Sequence, residues 1–230
     1  MTIKLITFDL DDTLWDTAPV IASAEKVLHQ WLATNAPHLG ALGPASYQAL
    51  RQRVLAAEPG LKHRISALRR RVLFHALNDA GYTNPSVMAD QAFEVFIEAR
   101  HALDVFPQAE PTLVTLGRDY ALGVVTNGNA DVRRIGLGHH FAFVLCAEDI
   151  GIAKPDARLF HEALKRGGNL SAAAAVHVGD HPGDDIAGAQ QAGLRAIWFN
   201  PGGKRWEGEK APDAEVGCLS ELPAVLLRLR

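Results

Sequence analysis

The chain has 230 residues, 48% of them hydrophobic, and 23 basic against 26 acidic side chains give a formal net charge of -3. That apolar content is enough to bury a sizeable core and excludes a disordered chain. A nucleic-acid-binding domain would be basic, and no apolar run approaches the roughly 20 residues of a membrane helix, so neither a nucleic acid nor a membrane is an expected partner.

The opening residues, Met1 through Asp9, lack the basic start and long apolar stretch of a signal peptide, which points to a cytoplasmic protein. Leu5-Ile6-Thr7-Phe8 is a short apolar run that stops at a group of aspartates and reads as a buried strand. From Thr17 to Leu103 no strand is evident. Val20, Ala24, Val27 and Trp31 form one helical stripe, Leu61, Ile65, Leu68 and Val72 a second, and Met88, Ala92, Val95 and Ala99 a third. Residues 17–103 are therefore expected to be an all-helical domain inserted into a core of residues 1–16 and 104–230.

Beyond the insertion, strands are expected over residues 121–126, 141–146, 175–178 and 194–199. Helical patterns fill 157–166, 186–192 and 222–229, and residues 201–212 read as a surface loop. Alternating strands and helices predict an α/β fold, a Rossmann-like parallel sheet covered on both faces. Ligands of such sheets bind at the carboxyl ends of the strands. Cys146 and Cys218 lie far apart and form no CxxC pair, so a thiolate zinc site is excluded and both thiols are expected free, as in a reducing cytosol.

Polar residues gather where the strands stop. Asp9 and Asp11 are two apart, a spacing that puts both carboxylates on one side of extended backbone. One can stay ionised as a nucleophile while the other shuttles a proton. Thr126, Asn127 and Gly128 offer phosphate donors after the second strand. Lys154, before Pro155 at a helix start, can aim its charge at a pocket. After the fourth strand Asp180 suits a hard cation, and Asp184 and Asp185 can orient its water or hold Lys154.

These four elements in this order resemble the haloacid-dehalogenase-like (HAD) superfamily. Asp9-Leu10-Asp11-Asp12-Thr13 matches its first motif, Thr126 its second, Lys154 its third, and Gly179-Asp180 with Asp184-Asp185 its fourth. The helical insertion is similar to the family's C1-type cap. Thr126-Asn127-Gly128-Asn129, Gly136-Leu137-Gly138 and Ala57-Glu58-Pro59 look most like the bacterial flavin-mononucleotide and riboflavin-pathway pyrimidine phosphatases.

The resemblance implies that Asp9 attacks phosphorus to give an aspartyl-phosphate and that Asp11 protonates the leaving oxygen. It implies Mg²⁺ held by Asp9, the backbone carbonyl of Asp11 and Asp180, and a phosphoryl group held by Thr126, Asn127 and Lys154. The implied substrate is a small phosphate ester, flavin mononucleotide or 5-amino-6-(5-phosphoribitylamino)uracil among the candidates, and the enzyme would be a monomer or homodimer. Two alternatives stand beside it: a 2-haloacid dehalogenase on the same fold, and a non-catalytic phospho-ligand-binding protein. A dehalogenase displaces halide, which needs no proton, so it has no use for an acid at Asp11.

Substrate choice is expected in the insertion and just after Asp12. Trp15 could stack on an aromatic ligand. Arg64 and Arg71, seven apart on one expected helical face of a basic segment, could grip an anion. His139-His140 has no third ligand nearby in the sequence and reads as a turn rather than a metal site. Cys146 is expected to be buried and inert.

Overall fold

The computed structural model describes residues 2–229. By contacts the chain divides into two compact units, residues 1–16 with 104–230, and residues 17–103. Chain order runs β1 (Leu5–Phe8), α1 (Thr17–Asn35), α2 (Pro44–Ala57), α3 (Ile65–Asp79), α4 (Pro85–His101), α5 (Ala109–Leu116), β2 (Ala121–Thr126) and β3 (Phe143–Cys146). It continues through α6 (Ala147–Ile150), α7 (Ala157–Arg166), β4 (Ala175–Gly179), a π-helical turn (Pro182–Ala187), α8 (Gly188–Gln191), β5 (Arg195–Phe199), β6 (Ala214–Val216) and α9 (Leu222–Arg228).

The first unit is built on a parallel sheet of order β3-β2-β1-β4-β5-β6. β1 is its centre, and Leu5, Ile6, Thr7 and Phe8 are all fully buried. A strand covered on both faces reads as a continuous apolar run, which is how the sequence presents it. α7 lays Leu159, Phe160, Ala163 and Leu164 against this core. Its start is fixed by Asp156, whose carboxylate accepts from the Arg158 amide at 2.9 Å. Burying a side chain such as Phe160 contributes roughly 1.5–3 kcal/mol. The sheet has one strand more than the five expected. β6 was hidden because only three residues pair, too few to show a period. Residues 186–192, expected as one helix, divide into the π-helical turn and α8.

The second unit is helical. α1 packs against α4 and α4 against α3 around Leu28, Leu32, Leu73, Leu77, Phe93 and Phe96. Val54 of α2 joins Leu68 and Val72 of α3 in a smaller cluster. Of the three expected stripes, the one on α3 buries Leu68 and Val72 as read, while the other two are displaced around their helices. α1 buries Val20, Ala24, Leu28 and Leu32 rather than Val27 and Trp31, and α4 buries Phe93, Phe96 and Ile97 rather than Met88 and Val95. Apolar residues stand side by side at these positions, so either row reads as a stripe, and packing chooses between them. α2 was not expected, because Val54 is its one buried residue. No helix among the described residues is long and apolar enough to cross a membrane.

Candidate active site

The strand order reverses between the paired neighbours β1 and β4, since the chain leads from β1 to β2 in one half of the sheet and from β4 to β5 in the other. The crevice beyond their carboxyl ends is the place where such sheets bind ligands. Asp9 directly follows β1 and Asp180 directly follows β4. The Asp9 amide donates to the Val178 carbonyl at 2.9 Å, which holds the two strand ends level.

Lys154, in the loop between α6 and α7, reaches this point with its side chain 2% exposed. Its Nζ donates to Asp9 Oδ1 and to Asp185 Oδ1, both at 2.6 Å. Asn127 aims the lysine: its Oδ1 accepts from the Lys154 amide at 2.8 Å and its Nδ2 donates to the Lys154 carbonyl at 3.1 Å. The same Nδ2 lies 3.3 Å from Asp184 Oδ2. Asp185 takes further bonds from the His181 amide at 2.9 Å and from His177 Nε2 at 3.1 Å. Gly179 permits this arrangement, since a Cβ there would stand 2.3 Å from Asp185 Cγ.

After Asp9 the chain turns tightly. The Leu14 amide donates to the Leu10 carbonyl at 2.8 Å, and Asp12 adopts φ 59°, a left-handed conformation that aspartate tolerates better than most residues. The turn leads to Trp15, whose Nε1 donates to Asp11 Oδ1 at 2.9 Å. On its other side Asp11 faces Gly128, where a Cβ would lie 2.3 Å from Oδ2. Thr126 is buried and its Oγ1 accepts from the Gly128 amide at 3.0 Å. Asp180 accepts from Thr13 Oγ1 at 3.3 Å, and its carbonyl accepts from Trp198 Nε1 at 2.8 Å.

The charges do not balance. Burial pushes the Asp9 carboxyl up to about 7 although Lys154 pulls it down, and the negative charge of Asp185 adds to the rise. Asp180 is raised to about 6, by burial and then by the charges of Asp185 and Asp12. Asp185 is also penalised by burial, yet Lys154 and His177 more than offset this and hold it well below the usual carboxylate range. Lys154 stays protonated because Asp185 and Asp9 outweigh its burial. His177 is lowered by burial and is therefore neutral. A carboxylate can only accept, so His177 presents Nε2–H to Asp185, and its Nδ1 takes the Thr7 hydroxyl at 2.9 Å.

Carboxylate oxygens of Asp9, Asp180 and Asp185 lie within 4.8 Å of one another, a group able to hold a metal ion. An all-oxygen donor set with excess negative charge fits a hard dication such as Mg²⁺. The group includes Asp185 and not the Asp11 side chain, which Trp15 engages. Asp9, Asp11, Thr126, Asn127, Lys154, Asp180, Asp184 and Asp185 are thus brought to one end of the sheet.

Other expectations fail. Trp15 is fully buried, so its ring is not a stacking surface, and its indole positions Asp11 instead. Arg64 is exposed and precedes α3 at its N-cap, so it shares no helical face with Arg71. Arg71 pairs with Glu58 at 2.9 Å. Cys146 is half-buried rather than fully buried, but it is inert as expected, because burial pushes its thiol up to about 12 and leaves it unreactive at neutral pH. Sequence reasoning missed His177. It sits mid-strand, where a histidine looks like one more core residue, and only the register that sets it opposite Thr7 reveals its role.

The chain resembles known proteins over its full length. It is 34% identical to the 5-amino-6-(5-phospho-D-ribitylamino)uracil phosphatase YigB of Escherichia coli, covering 97% of this chain and 96% of the relative. A crystal structure of 2-haloacid dehalogenase from Pseudomonas syringae pv. tomato DC3000 superposes with a TM-score of 0.98 at 59% identity, covering 100% of both chains. The magnesium-bound crystal structure of the HAD-hydrolase YfnB of Bacillus subtilis superposes with a TM-score of 0.70 at 27% identity, covering 99% of this chain and 100% of that one. The haloacid dehalogenase-like hydrolase model matches residues 3–193, and with the sheet order and the strand-end carboxylates this places the chain in the haloacid dehalogenase-like hydrolase family.

Proposed function

We propose that the protein is a Mg²⁺-dependent phosphomonoester hydrolase working through a phosphorylated Asp9. The observation that carries this reading is Asp11, an acid two residues beyond the nucleophile, held at 2.9 Å by the Trp15 indole against a glycine that leaves it room. Ester cleavage needs a proton on the leaving oxygen, and a positioned carboxyl supplies it.

In this reading an Asp9 carboxylate oxygen attacks phosphorus as the P–O bond to the alcohol breaks. Asp11 donates its proton to the departing oxygen. It then takes a proton from the water that attacks the aspartyl-phosphate, which releases inorganic phosphate and restores Asp9. Lys154 and the Thr126–Asn127 turn offset and hold the phosphoryl oxygens. Asp9 and Asp180, with the Asp11 carbonyl, would hold Mg²⁺, while Asp185 fixes Lys154 beside them. The ion would neutralise charge that otherwise repels a phosphate dianion from a carboxylate. The helical unit serves as the substrate-selecting cap, and the substrate is a small phosphorylated metabolite.

The Pseudomonas syringae structure favours a second reading, 2-haloacid hydrolysis, in which Asp9 displaces halide from carbon. One experiment separates them. Phosphate and halide release are measured over a panel of an aryl phosphate, 5-amino-6-(5-phospho-D-ribitylamino)uracil, flavin mononucleotide and 2-chloropropionate, with Mg²⁺ and with chelator. The expected result is phosphate release that chelator abolishes and Mg²⁺ restores. Asp9→Asn should abolish it while keeping the fold, because Asp185 still pairs with Lys154. Chloride release that survives chelation, without phosphate release, would establish the dehalogenase instead.

A further inference from the structure

The described residues contain a second group of metal-type donors that shares no residue with the carboxylate site. Glu110 lies in the first turn of α5, and His139 and His140 end the short turn Gly138–His140 before β3. Glu110 is distant in sequence from the adjacent pair His139-His140, and all three belong to one compact unit. One donor atom from each comes within 4.8 Å of the others. The two imidazole rings are tilted by 42° to one another, with centroids 3.9 Å apart.

The His140 side chain is only 9% exposed, and its Nε2 is buried without a hydrogen-bond partner. That nitrogen points at Glu110 Oε1 across 3.5 Å. Two donors each about 2.0–2.1 Å from a tetrahedral ion stand roughly 3.3 Å apart, so the separation matches two ligands of one ion. Glu110 is 56% exposed, which leaves the group open to solvent on one side. Backbone bonds hold the turn in place: the His140 amide donates to the Leu137 carbonyl at 3.1 Å, and just beyond it the Ala142 amide donates to the Leu122 carbonyl of β2 at 2.8 Å.

We propose that Glu110, His139 and His140 form a zinc-binding site, with water as the fourth ligand. Two imidazole nitrogens and one carboxylate suit Zn²⁺, whereas Mg²⁺ and Ca²⁺ prefer oxygen throughout. Bound there, the ion ties the start of α5 to the loop that enters β3.

Zn²⁺ titration of the chelator-treated full chain by calorimetry tests this in an Asp180→Asn background, which disables the carboxylate cluster. The expected result is a single stoichiometric equivalent. Adding His139→Ala and His140→Ala should abolish it. Adding Glu110→Gln, at an exposed position that leaves folding intact, should weaken it by about tenfold or more. Co²⁺ in place of Zn²⁺ should give visible ligand-field bands that disappear with the same changes. No uptake by the Asp180→Asn chain, or uptake unaltered by Glu110→Gln, would overturn the site and leave an ordinary histidine–glutamate pair.

Discussion

Two groups of ion pairs have nearly the same lengths and opposite character. On α3, Arg69 meets Glu25 at 2.7 Å, Arg70 meets Glu94 at 2.8 Å and Arg71 meets Glu58 at 2.9 Å. In the sheet unit Lys154 meets Asp9 and Asp185 at 2.6 Å. The arginines are partly wet, and no two of them share an acid, although Arg70 also reaches Asp90 at 3.5 Å. Their cations also cover aromatic rings, Arg69 over Phe96 at 3.7 Å and Arg70 over Phe93 at 3.8 Å. Lys154 is dry and shares its charge among acids that outnumber it. Contact distance does not tell a working charge from a surface one, whereas burial and imbalance do.

Removing the cation should separate the two groups most. Lys154→Met leaves Asp9 and Asp185 buried without their partner, and breaking such a pair costs about 3–5 kcal/mol. Denaturant unfolding should show that loss, together with a collapse of phosphatase turnover in whatever protein remains folded.

The next effect is a response to pH. Asp9 and Asp180 are raised to about 7 and about 6 from an ordinary 3.8. Between those values the folded state holds more protons than the unfolded one, so without metal these two groups lose stabilising effect as pH rises through the window. Buried neutral His177 acts oppositely, since it must charge on unfolding in acid. The clean measure is therefore the rise in Tm caused by Mg²⁺. That rise should be large near pH 8 and shrink as pH falls through about 7 to 6, because protons compete for the same oxygens. A Mg²⁺ increment independent of pH would remove Asp9 and Asp180 as ligands. The smallest effect belongs to α3: Arg70→Ala should change stability by no more than about 1 kcal/mol and leave turnover intact.

Much of the sheet unit was legible because its signals are short and local. Asp9, Thr126 and Asp180 each end or follow an apolar run, and the run fixes which end of the sheet they occupy. The helical unit was harder to read. Leu28 beside Val27 and Leu32 beside Trp31 give two equally apolar rows, and only tertiary packing selects one. Arg64 seemed to share a face with Arg71 because spacing was counted across a helix start that has no capping side chain. The partners of Asp185 and the approach of Glu110 to His139-His140 depend on residues distant in sequence, which periodicity does not report.

The hydroxyl of Thr7 and the imidazole of His177 lie within the sheet, yet through Asp185 they lead to Lys154 and so to Asp9. A chemist wishing to retune the nucleophile need not alter anything a substrate would meet. Replacing Thr7 by valine, or His177 by an apolar residue of similar bulk, adjusts the reaction from behind, like a screw reached through the back of the case.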